Sequence, residues 1–416
     1  MSDITLRDLT RIFGRIGVLS FGGPAAQIAL MHRELVDERP WLTEQQFLNA
    51  LSFCMLLPGP EAMQLATYAG WRLRGVTGGL IAGGLFVLPG AFVMLALSLT
   101  YAWLGNVPLV QALFLGVKAA VVIIVIEALL KVAKRALKGR DHWIIAARSF
   151  VGSFALHLPF PVIIAASAAY GALTSRGPRD TAPPKVAANT LRTVATWLAS
   201  WLVPIAALWA SGATLLTEVA LFFSKLAVVT FGGAYAVLAY MTQEVVQDYG
   251  WLTTAQMMDG LGLAETTPGP LILVTQFVGF LAGDGAGGTG LALAAAVVTL
   301  WVTFVPCFLW IFAGAPYIEW ISAQPRLSGA LTAITAAVVG VIANLSLWFA
   351  AHVFFATVGE ISLGPIRLIA PVPGTIDIAA VALAVLAGVL ILRLKWSLPA
   401  ALAVAAAAGL GLQLLA

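Results

Sequence analysis

Two short tracts, Leu57-Pro58-Gly59-Pro60 and Thr267-Pro268-Gly269-Pro270, have the composition to open a helix and leave backbone amides unpaired. Proline removes a backbone donor and its ring clashes with the preceding turn. Pro, Gly, Pro in series therefore unwinds a helix outright. Each tract interrupts a largely apolar stretch, residues 43–73 and 253–283. Each flank is then about 12 residues, or about 18 Å of helix, roughly half the thickness of a bilayer. A half-helix that begins in an apolar medium aims free N–H groups and a partial positive charge at whatever lies before it, which suits an anion. The candidate amides are those of Glu61, Ala62 and Met63, and of Leu271, Ile272 and Leu273. Phe21-Gly22-Gly23-Pro24 and Phe231-Gly232-Gly233 interrupt a second pair of helices in the same way. Irregular backbone at such a depth is tolerated only where protein or a water-filled cavity covers it.

Side chains that could join an anion site are few. Arg15 and Lys225 stand two turns before the two glycine pairs, and each either faces a cavity or reaches the membrane interface. Lys118 lies in the middle of an apolar stretch, where a bare charge costs at least ~2.5–3.5 kcal/mol. It is either part of an anion pathway or paired with a carboxylate. Glu61 follows the first break and Glu265 precedes the second. Glu61 could carry a proton, repel a wrong anion, or cap the half-helix. Ser20, Thr230, Thr266, Thr267, Gln64 and Gln276 add neutral donors, which oxyanions accept readily. The mixed charges of residues 31–45 read as a solvated, salt-bridged loop anchored by Trp41. Glu34 and Glu244 recur at one position and imply a shared job, such as tying that loop to a neighbouring helix.

The elements that must position these residues are membrane helices. Of 416 residues, 60% are hydrophobic and only 10% charged, with a mean hydropathy of +0.95. That excludes a water-soluble enzyme, a disordered chain and a nucleic-acid binder, whose surface would need far more basic charge. Residues 76–104, 107–130, 193–211 and 376–392 approach or exceed the apolar length of a span. Cys54 and Cys307 both sit in apolar runs and read as core residues. The four histidines, His32, His142, His157 and His352, are scattered without a metal spacing. No metal or cofactor is expected, and an intramembrane enzyme is disfavoured.

A repeat organises the chain. Residues 21–60 align with 231–270 without a gap, and 16 of the 40 positions are identical. Trp41-Leu42-Thr43 falls on Trp251-Leu252-Thr253. After an insertion near residues 283–290 the offset becomes 217, placing Pro89, Trp103 and Pro108 on Pro306, Trp320 and Pro325. Lys and Arg favour cytoplasmic loops, and the two halves distribute them oppositely. Arg72, Arg74 and the cluster Lys131–Arg140 flank the outer ends of two spans in the first half, whereas in the second half Arg326 lies in the turn between the equivalent spans. The expectation is an all-α polytopic protein of two inverted repeats, 1–173 and 215–416, joined by a basic linker and inverting helix at 174–214. That gives about 13 spans, the N-terminus cytoplasmic and the C-terminus periplasmic. Residues 354–375 read as a polar-broken loop, and 142–173 as two short helices or a re-entrant pair.

The glycine pairs, the Trp-Leu-Thr bridges and the Pro-Gly-Pro tracts, each duplicated at one spacing, resemble the chromate ion transporter family in its long, two-domain form. The resemblance covers essentially the whole chain. It implies a multi-pass protein of the bacterial inner membrane that exports chromate and confers chromate resistance, with sulfate as the look-alike anion. On this resemblance the substrate would be held around the two sets of breaks, by Arg15, Ser20, Gly22, Gly23, Pro58, Gly59, Pro60, Glu61, Ala62, Gln64 and Lys118 in the first half. The second half would supply Lys225, Thr230, Gly232, Gly233, Thr267, Pro268, Gly269, Pro270 and Gln276. It departs from the first at Ala234, opposite Pro24, and at Leu271, opposite Glu61. A transporter for sulfate or another oxyanion, acting by uptake or exchange, is the alternative. Partners are the small anion and the bilayer, with no nucleic acid; a homodimer stays open.

Overall fold

The computed structural model describes residues 4–105, 107–175, 188–231, 234–322, 324–364 and 366–415. The helices, in chain order, are α1 (Leu6–Leu19), α2 (Gly23–His32), α3 (Glu44–Cys54), α4 (Glu61–Leu104), α5 (Pro108–Ala136), α6 (Arg140–Phe154), α7 (Phe160–Thr174) and α8 (Ala188–Ala210), then α9 (Thr214–Val229), α10 (Ala234–Gln243), α11 (Thr254–Thr266), α12 (Val274–Gly314), α13 (Ile318–Ser322), α14 (Pro325–Phe354), α15 (Ile378–Gly388) and α16 (Leu398–Leu415). Among the described residues six helices are long and apolar enough to cross a membrane, including Glu61–Leu104, Leu271–Tyr317 and Pro325–Phe354. Phe160–Thr174 and Ile378–Arg393 are shorter apolar helices. The chain is a polytopic helical membrane protein.

The all-helical expectation misses one hairpin. Strands β1 (Val358–Leu363) and β2 (Ile366–Pro371) pair antiparallel within the segment read as a polar loop. Alternating Ile, Leu and polar residues there satisfy strand periodicity, and Gly364 takes a positive φ at the turn.

The longest helices are each two helices run together. In α4, Arg74 and Gly75 leave helical geometry, and in α12 Gly287 and Gly288 do so at the equivalent place. The half-helix from Glu61 therefore folds back at once on the long helix after Gly75. Small residues let the two backbones touch: a side chain at Gly70 would sit 2.2 Å from the Gly78 carbonyl, and one at Gly83 2.3 Å from the Thr67 hydroxyl. In α12 the same is true of Gly279 against Thr299, at 2.1 Å. Such small-residue seams are how helices approach closely in lipid.

The sequence repeat is also a repeat of local structure. Thr43 and Gln46 form a reciprocal capping box at the start of α3, and Thr253 and Gln256 repeat it before α11. The threonine of each Trp-Leu-Thr is thus a helix N-cap. A π-helical turn follows α2 at Arg33–Asp37 and α10 at Glu244–Asp248. The Trp41 amide donates to the Leu35 carbonyl, and that of Trp251 to the Val245 carbonyl.

The chain forms two compact units, and each draws on both sequence halves. The first comprises Met1–Ser98, Arg176–Ala234 and Thr267–Ser328. Its fully buried aromatics include Phe13, Phe53, Phe86, Phe222 and Phe277, and α8, α9 and α12 pack together within it. The second comprises Leu99–Ser175, Tyr235–Thr266 and Gly329–Ala416. There α5, α15 and α16 share a core of Ala120, Ile124, Ala387, Ala401 and Leu402.

Candidate anion site

The site is built within the first unit from the four interruptions. Pro58-Gly59-Pro60 separates α3 from the half-helix at Glu61, and Pro268-Gly269-Pro270 precedes the 3₁₀ turn Leu271–Leu273 that opens α12. Ser20, Phe21 and Gly22 separate α1 from α2. The equivalent break after α9 begins at Thr230; Gly232 and Gly233 lie outside the described residues.

These breaks hold one another by exchange. The Gly59 amide donates to the Thr230 carbonyl at 2.8 Å, and the Gly269 amide donates to the Ser20 carbonyl at 2.8 Å. Gly59 matches Gly269 in the repeat, and Ser20 matches Thr230, so each half anchors its proline loop on the first-helix break of the other. Packing follows the same rule. A side chain at Gly90 would lie 2.1 Å from the Pro268 carbonyl, and Cys307, its counterpart at offset 217, stands against Gly59. Glycine is required at both loop centres: φ is +120 at Gly59 and +86 at Gly269, values other residues reach only with strain.

Between the loops lies a small cavity of about 10 Å³, room for about one water. Its walls include the beginnings of helices, Pro24 of α2, Glu61 and Ala62 of α4, Ala234 of α10, and Leu271 and Ile272 of the 3₁₀ turn before α12, together with Gln27, Pro60, Pro270 and Thr230 at the end of α9. First-turn amides have no partner within their own helix. The partial positive charges of several helix starts therefore border the cavity, and such termini favour an anion without any cationic side chain.

Three of the side-chain donors expected from sequence, Ser20, Thr230 and Gln64, bond to nearby backbone in this conformation. Ser20 and Thr230 are buried, and each hydroxyl donates back to its own helix, to the Ile16 and Leu226 carbonyls at 2.6 Å. Gln64 donates to the Pro58 carbonyl at 2.7 Å and braces the loop. The buried carbonyl oxygens of the Gln64 and Gln276 side chains find no hydrogen-bond partner. Thr267 is buried in the break itself. Gln27, which sequence reasoning passed over, lines the cavity and donates to the Gly269 carbonyl at 2.7 Å and the Ser20 carbonyl at 3.3 Å. Nothing in its spacing marks it, because its partner is 242 residues away.

Among the described residues no basic side chain lines the cavity. Arg15 is half exposed and pairs with Glu34 at 3.4 Å, while Arg39 holds the other oxygen of that fully buried carboxylate at 2.5 Å. Glu34 thus ties the charged loop to α1. In that loop His32 bonds Glu44 at 2.6 Å, and this contact raises the imidazole above its ordinary value. Lys225 is exposed on α9. Lys118 belongs to the second unit and is neutralised there: its ammonium lies 3.1 Å from Asp259, whose other oxygen accepts from Tyr101 at 2.7 Å. In the same unit Tyr235 donates to Glu265 at 2.8 Å. A larger cavity, about 200 Å³, also lies in the second unit, bounded by His157, His352, Gln243, Asn344, Trp348 and Glu360. Among the described residues no group of three or more His, Cys, Asp or Glu side chains is placed to hold a metal ion.

The profile of the chromate transporter family matches this chain twice, over residues 7–172 and 217–412. The chain belongs to the chromate transporter family. It is similar to the chromate transport protein of Cupriavidus metallidurans, with 32% identity over 349 residues covering 81% of each chain. The chromate transport protein of Pseudomonas aeruginosa is 33% identical over 79% of this chain and 77% of its own. The probable chromate transport protein of Synechococcus elongatus is 32% identical over 82% of this chain and 83% of its own. No solved structure matches. As a member of the chromate transporter family the chain is a transport protein and not an enzyme, and the two family matches coincide with the two copies of the broken-helix motif.

Proposed function

We propose that this chromate transporter is a secondary carrier that moves chromate out of the cell, and that the amides at the starts of α4 and α12 hold the anion. One observation carries the reading: the breaks of the two sequence halves interlock by equivalent hydrogen bonds beside a cavity that several helix starts border. Such half-helix termini are how membrane carriers commonly hold anions. The cavity, at about 10 Å³, is smaller than a tetrahedral oxyanion; substrate enters when the walls part. The reciprocal contacts and the opposed charge patterns support two inverted halves. The same charge patterns support 13 spans, a cytoplasmic N-terminus, a periplasmic C-terminus and residence in the inner membrane.

Direction follows from charge. Chromate is a dianion near neutral pH. A potential negative inside favours expelling each charge by about 2.3 kcal/mol per 100 mV. Two charges give about 4.6 kcal/mol, more than a thousandfold in concentration at about 1.4 kcal/mol per tenfold. Sulfate, with the same charge and shape, is the second reading for the substrate.

Radiolabelled chromate flux in everted membrane vesicles tests both, with the potential and the pH gradient imposed separately. Accumulation should be saturable, should rise with an interior-positive potential in the everted vesicle, and should be competed by sulfate. Flux indifferent to potential, or sulfate transport with chromate excluded, would overturn the reading.

A further inference from the structure

The cavity of about 200 Å³ differs in chemistry from the anion cavity, and all of its lining residues belong to the second unit. One water takes up about 10–15 Å³ of such space, so the cavity holds a molecule of roughly a dozen non-hydrogen atoms. Asn344, Trp348 and His352 line it from α14 at intervals of four residues, which places them on one face of the helix. Gln243 lines it from the end of α10, and Gln247 from the π-helical turn that follows. The β1–β2 hairpin adds Glu360 and its cross-strand partner Ile369. The hairpin is tied to the corner between α6 and α7, where the Arg367 amide donates to the Ala155 carbonyl at 3.0 Å.

The repeat shows that this wall is particular to the second half. At offset 210 the counterparts of Gln243 and Gln247 are Arg33 and Asp37. At offset 217 those of Asn344, Trp348 and His352 are Glu127, Lys131 and Arg135. Charged side chains in one half are thus three amides, an indole and an imidazole in the other. In the first half Lys131 and Glu127 close on each other at 2.8 Å. Their counterparts Trp348 and Asn344 form no ion pair, and a cavity stands against that helix face instead.

The hydrogen-bonding groups of the wall define the class of ligand. Ser153 and Thr242 give their hydroxyl hydrogens to the Phe150 and Leu238 carbonyls, at 3.2 and 2.7 Å, and keep lone pairs as acceptors. The His352 Nδ1 donates to the Trp348 carbonyl at 2.8 Å, which leaves Nε2 of the neutral ring as an acceptor. The three amides both donate and accept. His157, at the corner between α6 and α7, has a φ of +48, a left-handed conformation uncommon outside glycine. Its buried Nδ1 finds no hydrogen-bond partner among the described residues. An oxyanion only accepts, and would leave the hydroxyl oxygens, Nε2 and Glu360 unmet. An ammonium ion only donates, and would leave the amide N–H groups unmet. Glu360 already lies 3.8 Å from Arg367 and accepts from Ser362 at 3.3 Å, so it does not require a cationic ligand. Hydroxyl groups donate and accept together, and Phe154, Leu345 and Trp348 offer apolar surface to the C–H face of a ring. We propose that this cavity is a second binding site, for an uncharged polyhydroxylated molecule of monosaccharide size, whether free or as the sugar headgroup of a lipid.

Binding to the purified full-length protein in phosphatidylcholine nanodiscs tests this. Tritiated glucose and myo-inositol are the free probes, read by equilibrium binding. Monoglucosyl diacylglycerol added to the nanodiscs is the lipid probe, its retention read by native mass spectrometry. At least one probe should bind saturably, with one molecule per chain. Asn344→Leu and Gln243→Leu should each weaken that binding about tenfold, the effect of one lost hydrogen bond, with the melting temperature kept. Binding of a free probe assigns a soluble ligand, and retention of the glucolipid alone assigns a headgroup. Absence of saturable binding by wild type, or binding that both variants leave unchanged, overturns the site. Displacement of the bound probe by sodium sulfate or by spermidine, at matched ionic strength, overturns the uncharged class.

Discussion

Gly59→Leu should abolish chromate transport while the protein still inserts and remains monodisperse. The first atom of any side chain at this position would lie 2.8 Å from the Gln64 amide and 2.9 Å from the Cys307 sulfur. The backbone φ of +120 adds strain, typically about 1–3 kcal/mol for a residue other than glycine. The loop must shift, its bond to the Thr230 carbonyl is lost, and the first-turn amides of Glu61 and Ala62 are re-aimed. A displacement of about 1 Å at a positioned site can cost about a hundredfold in rate, so vesicle uptake should fall to background. Gly269 makes a graded comparison. Its φ of +86 is closer to the left-handed helical region, and a side chain there would meet Leu273 and the Phe86 carbonyl at 3.2 and 3.3 Å. Gly269→Ala should therefore retain more transport than Gly59→Ala. Wild-type flux from Gly59→Leu, or the reverse order of the alanine variants, would contradict this geometry.

The second large effect is on stability. Lys118 and Asp259 form an ion pair within the second unit, with Lys118 22% exposed and Asp259 only 7%. Removing one partner of a buried pair typically costs about 3–5 kcal/mol, because the remaining charge is stranded, whereas replacing both by apolar residues is often neutral. The lysine can still draw its ammonium toward water; the aspartate keeps only its Tyr101 bond. Lys118→Met should thus lower the melting temperature in detergent more than Asp259→Leu. The Lys118→Met/Asp259→Leu double variant should recover most of the loss. Additive losses in the double variant would mean that the two charges do not depend on each other.

Particular residues show what the sequence could and could not reveal. The four breaks were legible because proline and glycine act locally: their effect on the backbone needs no knowledge of the partner. The duplication was legible for the same reason, and the structure gives it content in the capping boxes of Thr43 and Thr253. The interfacial reading of Trp41 overlooked this local role of its neighbour Thr43. Glu34 was legible as a tie between loop and helix, but its partners Arg15 and Arg39 were not. Lys118 was legible as a charge needing an explanation, and Asp259, 141 residues later, was invisible to any local pattern. Gln27 and the fold-back at Arg74-Gly75 escaped notice because one depends on a distant carbonyl and the other on two residues between uninterrupted apolar helices. Ser20 and Thr230 lie at the breaks with their hydroxyls turned onto carbonyls of their own helices. Only coordinates reveal such a choice among acceptors.

The central claim is that helix starts from both halves, and not a cationic side chain, grip the transported anion. Chromium offers a direct measurement, since its anomalous scattering marks the ion itself in crystals of the chromate-bound protein. The expected result is one peak between the starts of α4 and α12, with oxyanion oxygens at hydrogen-bond distance from the amides of Glu61, Ala62, Leu271 and Ile272. A chromium peak beside Arg15, Lys118 or Lys225, with the cavity between the two proline loops still closed, would contradict it.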